Sequence, residues 1–400
     1  MIRAIEGGLL APRGWLAGAT CAHVKGSTGD KQDVGLLASE YDCAAAGVFT
    51  RNQFKAAPVQ WCQKLLPSRS IRGVVADSGN ANACTGDQGD RDAEQMARAA
   101  AQLLGVQPSQ VLVGSTGVIG IPMPMERIGL AIRTLRLGPH GDAFNDAIMT
   151  TDTTRKQCSV AFDVAGREVR VGGVSKGVAM MHPNMATMLC FVTSDAVVEP
   201  DLLPGALKQA ADSSFNMLSI DGDQSTNDTL IVLCNGAAAN PPIRAGTVEA
   251  ALLGQAIQHV CLDLARKMAA DAEGGTKVIE VRVRGAANDA DAQLAARTIA
   301  SSTLLKCAVH GNDPNWGRIL MALGNSPVEL DTRRVSTAIR GFRMMTAGAP
   351  VPFDAAAASK AMDAPVVDIE VELGIGRGEG LAVGCDMSEE YVTLNADYTT

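Results

Sequence analysis

The sequence is poor in aromatic residues and has neither a cluster of basic residues nor a long apolar run. Aromatic residues make up 4% of the 400 residues, and the net charge is −8. Nucleic acids and anionic membrane surfaces are bound through concentrated positive charge, so neither partner is expected. No apolar run approaches the ~18 residues of a membrane-spanning helix, and the N-terminus lacks the pattern of a secretory signal. We therefore expect a soluble, cytoplasmic protein.

Paired cysteines are also missing from the sequence. The 10 cysteines are scattered singly, without a Cys-x-x-Cys pair or a His-rich neighbour. In a chain of this size, the pattern indicates small apolar core residues in a reducing compartment. It does not indicate a disulfide framework or a zinc site, so no metal is expected.

Glycine and apolar residues are abundant. The chain contains 41 glycines and is 46% hydrophobic but only 20% charged, so it can bury a large core in one or two globular domains. Because the glycines allow tight turns and close backbone approaches, strands and helices can alternate over short distances. We expect an α+β fold with helices and mixed sheets in layers, and no compositional linker separates its halves.

Apolar periodicity places the main elements. It predicts helices over residues 91–104, 202–213, 248–270 and 288–301. It predicts strands over residues 71–76, 111–113, 167–171, 189–193, 229–233, 278–284, 306–309 and 366–373. The glycine-rich residues 374–380 precede no helix and carry no Lys-Ser/Thr pair, so a hairpin turn is favoured over a phosphate-binding loop.

The most informative stretch is residues 176–189, which places Thr187 directly after the small Ala186. A Thr hydroxyl is a poor nucleophile without a base, and cutting the chain before it frees its own α-amine for that role. The reference pKa of an α-amine, ~7.7–8.0, suits this task. His182 is an alternative base, but it would leave with the other chain, so we interpret it as structural or exposed. An isolated Ala-Thr pair is more typical of a half-buried strand.

Seven further segments accompany this stretch, in order along the chain. They are Ile-Glu-Gly-Gly at 5–8, Ser-Gly-Asn-Ala-Asn-Ala-Cys-Thr-Gly at 78–86, Ser-Thr-Gly-Val-Ile-Gly at 115–120, Asp-Gly-Asp at 221–223, Ser-Thr-Asn-Asp at 225–228, Asp-Pro-Asn-Trp-Gly-Arg at 313–318 and Asn-Ala-Asp-Tyr-Thr-Thr at 395–400. With them, the chain resembles the glutamate N-acetyltransferase (ornithine acetyltransferase) family of arginine biosynthesis almost from end to end.

The resemblance implies a self-cleaving acyltransferase of the N-terminal-nucleophile type. Thr187 would attack the carbonyl of Ala186, giving an alpha chain of residues 1–186 and a beta chain of residues 187–400, assembled as a heterotetramer of two alpha and two beta chains. Acetyl-Thr187 would carry the acetyl group from N2-acetylornithine to glutamate, giving ornithine and N-acetylglutamate. No cofactor is implied, and acetyl-CoA stays open as a further acetyl donor.

The resemblance also assigns the residues around the nucleophile. Thr116 and Gly117 would form the oxyanion hole. The substrate-binding residues would be Thr153, Lys176, Thr187, Glu273, Asn395 and Thr400. Thr150 is the alternative to Thr153, because the Thr-rich run blurs the register. N-acetylornithine carries a carboxylate and an ammonium group, so its pocket needs a cation or N–H groups for the first and an anion for the second.

The sequence pattern does not assign a role to several other features. Residues 78–86 and 313–318 are rich in Asn and Gly, which indicates turns with positive φ that scaffold the site. Cys84 has no base in view and is interpreted as a buried loop residue. Three departures from the family pattern leave acceptor preference open. They are Val178-Ala179 in place of Ser-Gly, Ala272 in place of Gly, and Asp77 in place of Asn.

Two other functions fit parts of the sequence. The first is an aminopeptidase of related fold with an N-terminal Ser or Thr nucleophile, which the charges of Glu273 and Lys176 disfavour. The second is an uncleaved binding protein for amino acids, which would leave Thr187 without a reaction.

Overall fold

The computed structural model of the chain describes residues 1–26, 29–180 and 188–397. The predicted cleavage residues Ala186 and Thr187, the alternative base His182 and the C-terminal Thr400 lie outside the described residues. The residues on both sides of the predicted cleavage segment are described, as are the other predicted site residues.

Strands and helices both run through the whole described chain. The strands are β1 (Arg3–Ala4), β2 (Trp15–Thr20), β3 (Val34–Phe49), β4 (Ser68–Asn80), β5 (Val111–Val118), β6 (Lys156–Val164), β7 (Arg167–Lys176), β8 (Leu189–Ser194), β9 (Leu218–Ser219), β10 (Thr229–Cys234), β11 (Val278–Ala286), β12 (Ser336–Ile339), β13 (Phe342–Thr346), β14 (Ala349–Pro350), β15 (Val366–Glu372) and β16 (Gly378–Cys385). The helices are α1 (Ala57–Leu65), α2 (Gly86–Leu104), α3 (Met125–Thr134), α4 (Gly141–Ile148), α5 (Leu203–Asp212), α6 (Val248–Ala270), α7 (Asp289–Ala300), α8 (Thr303–His310), α9 (Trp316–Gly324), α10 (Ala355–Ala361) and α11 (Glu389–Asp397).

The first sheet has the strand order β1-β6-β7-β8-β10-β3-β4-β5, with β2 paired to β3. Adjacent strands in this sheet are antiparallel, except for the pairs β8–β10 and β4–β5, which are parallel. Strands β8 and β10, which follow the predicted cleavage segment, lie between β7 and β3, which precede it. The sheet therefore draws its central strands from both sides of the predicted cut.

Helices cover both faces of the first sheet, which explains why β8 is apolar at successive positions. Cys190 and Val192 share a core with α5 and α6 on one face. Phe191, on the other face, shares a core with α1 and α4, where its ring meets that of Phe144 edge-on at a centroid distance of 5.7 Å. Every residue of β8 is consequently buried.

The second sheet has the order β14-β13-β12-β15-β11-β16-β9 and is covered by helices on one face. Along β11, Val281 and Val283 are buried against α7, whereas Arg282 and Arg284 are exposed. This period of two is the pattern of a strand with one face in contact with water. Helix α6 shares its core with residues of both sheets, so it joins the two layers.

The structure confirms the predicted α+β fold and most of the predicted elements to within a few residues. Two predictions are wrong. Residues 306–309, predicted as a strand, belong to helix α8. Residues 374–380, predicted as a hairpin turn, connect β15 and β16, which lie on opposite sides of β11 and are not paired. No helix in the described ranges is long and apolar enough to cross a membrane.

Candidate functional site

The predicted oxyanion residues lie at the end of β5, which extends further than predicted. Parallel pairing with β4 sets Ser78 opposite Thr116 and Gly79 opposite Gly117. The φ angle of Gly117 is 134°, and a Cβ atom there would lie 2.3 Å from the carbonyl carbon of Gly79. Only glycine fits at this position, so the backbone around Gly117 is held at a close approach between the two strands.

Lys176 ends strand β7 and reaches Thr116, one of the predicted oxyanion residues. Its Nζ donates a hydrogen bond to Thr116 Oγ1 at 3.2 Å. The side chain is buried, and burial lowers the pKa of Lys176, while the negative charge of Asp152 opposes this shift. Because Thr116 Oγ1 accepts from the lysine, its own hydroxyl hydrogen is available to donate to another group.

A buried ionic network surrounds Lys176. Lys156 Nζ contacts both Asp152 Oδ1, at 2.7 Å, and the carboxylate of Asp271. Asp152 Oδ1 also accepts the N–H of Gly177 at 2.8 Å. Burial opposes ionisation of Asp152, but the charges of Lys176 and Lys156 outweigh it and hold the pKa of Asp152 below its usual value. The network therefore keeps a carboxylate next to Lys176.

The Thr-rich run follows helix α4 and is fixed by the same network. Asp152 Oδ2 accepts the N–H of Thr150 at 3.1 Å, and Thr150 and Thr151 line a cavity together with Lys176. Thr153 points elsewhere. Its hydroxyl and its N–H both donate to Asp271, and it lines a neighbouring cavity. The alternative Thr150 thus lies nearer to Lys176, and the role of either residue stays a prediction.

Glu273 lies in the loop after α6, as predicted, and joins this loop to two other elements. Its N–H donates to the carbonyl of Val178 at 3.0 Å, and its Oε2 accepts from Asn395 Nδ2 on α11 at 3.0 Å. Gly274, at a φ of 65°, would place a Cβ atom only 2.3 Å from Tyr391 N. The loop and α11 therefore pack in direct backbone contact, which brings the C-terminal helix to the site.

These elements enclose a cavity of about 510 Å³. The described residues that line it are Ala81, Thr116, Gly117, Ile119, Thr150, Thr151, Lys176, Val178, Ala179, Met180, Asp221, Asp223, Gln224, Ser225, Thr226, Asn227, Glu273, Tyr391 and Asn395. The structure thus brings five predicted site residues into one space. A second cavity of about 500 Å³ adjoins it and shares Thr151 and Glu273 with it.

The segment between β9 and β10 supplies further carboxylates. Asp221 accepts the N–H of Met180, and Asp228 Oδ1 accepts the N–H of Met188 at 3.1 Å. Asp228 is completely buried, and burial raises the pKa of its carboxyl well above the usual value. Burial also raises the pKa of Tyr391, with the charges of Asp221 and Asp223 adding to the shift, so Tyr391 keeps its phenolic hydrogen.

The segment of residues 78–86 has the predicted positive φ angles, at Gly79, Asn82, Cys84 and Gly86. It is tied to the site by Asn227, whose Nδ2 donates to the carbonyls of Ala81 and Ser115 at 2.6 and 2.8 Å. Cys84, predicted to be buried, is exposed, because its left-handed turn directs it outward before α2.

Residues 313–318 form the turn into α9, where the N–H of Asp313 donates to the carbonyl of Ala308 at 2.8 Å. The described lining of the two cavities includes none of them. The prediction of positive φ angles is wrong for residues 313–318, none of which has one, and their predicted scaffolding role has no direct contact with the cavities behind it.

The model of the ArgJ family matches residues 16–400. The chain belongs to the ArgJ family. The arginine biosynthesis bifunctional protein ArgJ of Symbiobacterium thermophilum is 48% identical over 99% of both chains, and that of Gloeobacter violaceus is 45% identical over 99% of this chain and 98% of its own. A crystal structure of the Bacillus halodurans ArgJ protein is 41% identical, with a TM-score of 0.51, and covers 52% of this chain and 98% of the solved chain. The predicted family is confirmed, and with it the prediction of an acetyltransferase.

The cavity of this ArgJ family member and the ionic network beside it also contain residues that the sequence did not single out. Asp221 lies in one of the family segments, but nothing in the sequence indicated which backbone group it would hold. Tyr391, Asp152 and Lys156 carried no signal in the sequence. Asp152 and Lys156 are only four residues apart, but Lys156 also pairs with a residue that lies far away in the chain. Asp271 is 115 residues from Lys156, for example. A sequence motif contains residues that are close in the chain, so it does not identify pairs that only the fold brings together.

Proposed function

We propose that this chain transfers the acetyl group of N2-acetylornithine to glutamate through an acetyl ester of Thr187. The single observation that carries the proposal is one cavity that holds the buried cation of Lys176, the end of β5 and the Glu273–Asn395 pair. Lys176 suits an α-carboxylate, and Glu273 suits an ammonium group. A free or N-acylated amino acid fits this charge pattern better than a peptide chain does.

The nucleophile forms by self-cleavage. Thr187 Oγ adds to the carbonyl carbon of Ala186, the C–N bond between the two residues breaks, and the hydroxyl proton passes to the leaving nitrogen. Water then hydrolyses the ester, which gives a carboxylate on Ala186 and a free α-amine on Thr187. The Bacillus halodurans structure supports this step, because its matched chain is about half as long as the present one.

Acetyl transfer then proceeds in two halves. The α-amine of Thr187 takes the hydroxyl proton, and Oγ attacks the acetyl carbonyl of N2-acetylornithine. Thr116 and Gly117 stabilise the oxyanion, for which the free hydroxyl hydrogen of Thr116 is suited. The C–N bond breaks, and ornithine leaves with the proton. The amine of glutamate next attacks the acetyl ester, N-acetylglutamate leaves, and Thr187 regains its proton.

The assembly and the acetyl donor belong to the same proposal. The two chains form a heterotetramer of two alpha and two beta chains in the cytoplasm. The ArgJ relatives carry the name bifunctional protein, which supports testing acetyl-CoA as a second donor. Thr153 and Thr400 complete the substrate-binding set that the family resemblance assigns.

The proposal is tested by intact-mass spectrometry and by a transfer assay. We expect the wild type to separate into chains beginning at Met1 and at Thr187, and Thr187→Ala to remain one chain. Ornithine release from N-acetylornithine should require glutamate and should be absent in Thr187→Ala. An intact wild-type chain would contradict the mechanism, and amino acid binding by that intact chain would favour a binding protein. Peptide hydrolysis without transfer would favour an aminopeptidase.

A further inference from the structure

Two aspartates hold the backbone on both sides of residues 181–187. Asp221 accepts the N–H of Met180, the last described residue before this segment. Asp228 Oδ1 accepts the N–H of Met188, the first described residue after it, at 3.1 Å. The nitrogen of Met188 is bonded covalently to the carbonyl carbon of Thr187. The second hydrogen bond therefore acts one peptide unit from the predicted nucleophile.

The anchor at Met188 is rigid. Its carbonyl accepts the N–H of Thr229 at 3.0 Å, and the carbonyl of Asp228 accepts the N–H of Thr50 at 3.0 Å. Met188 and Asp228 are both buried, at 2% and 0% exposure. Their positions are thus fixed by strands β8, β10 and the end of β3, rather than by the cleavage segment itself.

The anchor at Met180 holds a strained conformation. Met180 has a φ of 57°, in the left-handed region that residues with a side chain seldom adopt. In this conformation the N–H of Met180 donates to Asp221, and this hydrogen bond helps to stabilise it. Asp221 also lines the cavity, so the anchor lies at the site.

We propose that Asp221 and Asp228 are positioning residues for self-cleavage, because they fix both flanks of the Ala186–Thr187 bond relative to the end of β5. The inference rests on the proposed function. Attack within one chain is fast only when the reacting atoms are held close to the reactive geometry. The hydrogen bonds at Met180 and Met188 restrain the chain on both sides of this bond, which lowers the entropy cost of bringing it to the reacting groups.

The role of Asp228 in this proposal is to accept a hydrogen bond, not to carry a charge. Asp228 forms no ion pair in the described part of the chain, and burial raises the pKa of its carboxyl although the charge of Lys176 opposes this shift. Its Oδ2 has no hydrogen-bond partner among the described residues. The amide of an asparagine has the same carbonyl acceptor and nearly the same shape. Asp228→Asn should therefore keep the anchor, whereas Asp228→Ala removes it.

The experiment measures the rate of chain cleavage during cell-free synthesis, with the products separated by intact mass. We expect Asp228→Ala to slow cleavage by about tenfold or more, the effect of one lost hydrogen bond to a reacting segment. Asp221→Ala should slow it similarly, and Asp228→Asn should cleave at close to the wild-type rate. Circular dichroism and thermal melting establish that each variant is folded.

Asp195 provides the matched control. It is also completely buried and accepts backbone N–H groups, from Arg13 and Arg170, but it lines neither cavity. Asp195→Ala should lose stability and still cleave.

The results separate failure of this inference from failure of the proposed function. A folded Asp228→Ala that cleaves at the wild-type rate would overturn the inference and leave the proposed function intact, as would a folded Asp228→Asn that does not cleave. If Asp228→Ala fails to fold, Asp221→Ala and Asp228→Asn decide the matter, since Asp221 is only partly buried. An uncleaved wild type would refute the proposed function itself.

Discussion

Replacing Asp77 by Asn is expected to remove a pH dependence from the stability of this protein. Asp77 lies in β4, is completely buried, and accepts a hydrogen bond from the hydroxyl of Ser115 through Oδ1. Its Oδ2 has no partner in the described part of the chain. Burial raises the pKa of Asp77 well above its usual value, and the charge of Asp33 adds to this shift.

The sign of the effect follows from proton linkage. Above the ordinary pKa of an aspartate, ~3.9, the unfolded chain has released the proton of Asp77 while the folded chain still holds it. The folded state then binds more protons, so stability is highest below this pH and falls as the pH rises towards the raised pKa. The loss is about 1.4 kcal/mol per pH unit over that window. An asparagine side chain has no such proton to release, so the unfolding free energy of the Asp77→Asn protein should not fall with pH for this reason.

The assay is urea unfolding at a series of pH values, in a Thr187→Ala background so that a single chain is compared. The difference in unfolding free energy between Asp77→Asn and its parent should grow by about 1.4 kcal/mol for each pH unit above ~5. The raised pKa of the buried Asp228 contributes equally to both proteins and cancels. Asp30→Asn, a change at an exposed carboxylate, is the control. Parallel curves for Asp77→Asn and its parent would refute the reasoning.

Three further changes probe the site. Asp152→Asn should lower the pKa of Lys176 further, since Lys156, Glu273 and Lys31 then remain as its charged neighbours. The KM for N-acetylornithine should therefore rise at a lower pH than in the wild type, while kcat changes less. Gly117→Ala should cost about 1–3 kcal/mol in thermal unfolding experiments and abolish most transfer, because the added methyl group overlaps the backbone of β4. Asn395→Ala removes a hydrogen bond to a carboxylate, worth about 1.5–3 kcal/mol, and should raise KM about tenfold or more in steady-state assays. An unchanged pH profile, an unchanged melting temperature and an unchanged KM, respectively, would contradict these expectations.

Sequence patterns predicted the long helices well and the short apolar runs poorly. Helix α6 has the predicted bounds of residues 248–270, because its apolar positions repeat over many turns and Thr247 caps its start by accepting the N–H of Ala250. Residues 306–309 are a short apolar run, and such a run fits a strand or a helix equally. The deciding signal was Ser302, whose hydroxyl oxygen accepts the N–H of Leu305 and begins α8.

The glycine-rich residues 374–380 show a different limit. Turn chemistry predicts that a chain reverses, but it does not say which strands pair afterwards. Here β15 and β16 are separated by β11, and both pair with β11 across a long stretch of sequence, as in Val278 with Val366 and Val278 with Cys385. The glycine-rich residues predicted correctly that the chain reverses, but they could not predict which strands pair.

The family resemblance named Lys176 and Glu273, and both residues line the same cavity, while their substrate-binding roles stay predictions. The groups that hold them in place were not predictable. Asp152 and Asp271 carry ordinary sequence contexts, and their importance arises from burial beside Lys156, which only the folded chain creates.

The strand order of the first sheet determines whether the two chains would stay associated after cleavage. Since β8 and β10 lie between β7 and β3, neither fragment contains the whole first sheet, although all strands of the second sheet follow the cut. The two pieces would stay intertwined, and parting them would require melting the whole sheet. Cleavage would thus leave two chains that share one sheet, and the first sheet should not form in either chain synthesised alone until the other chain is added.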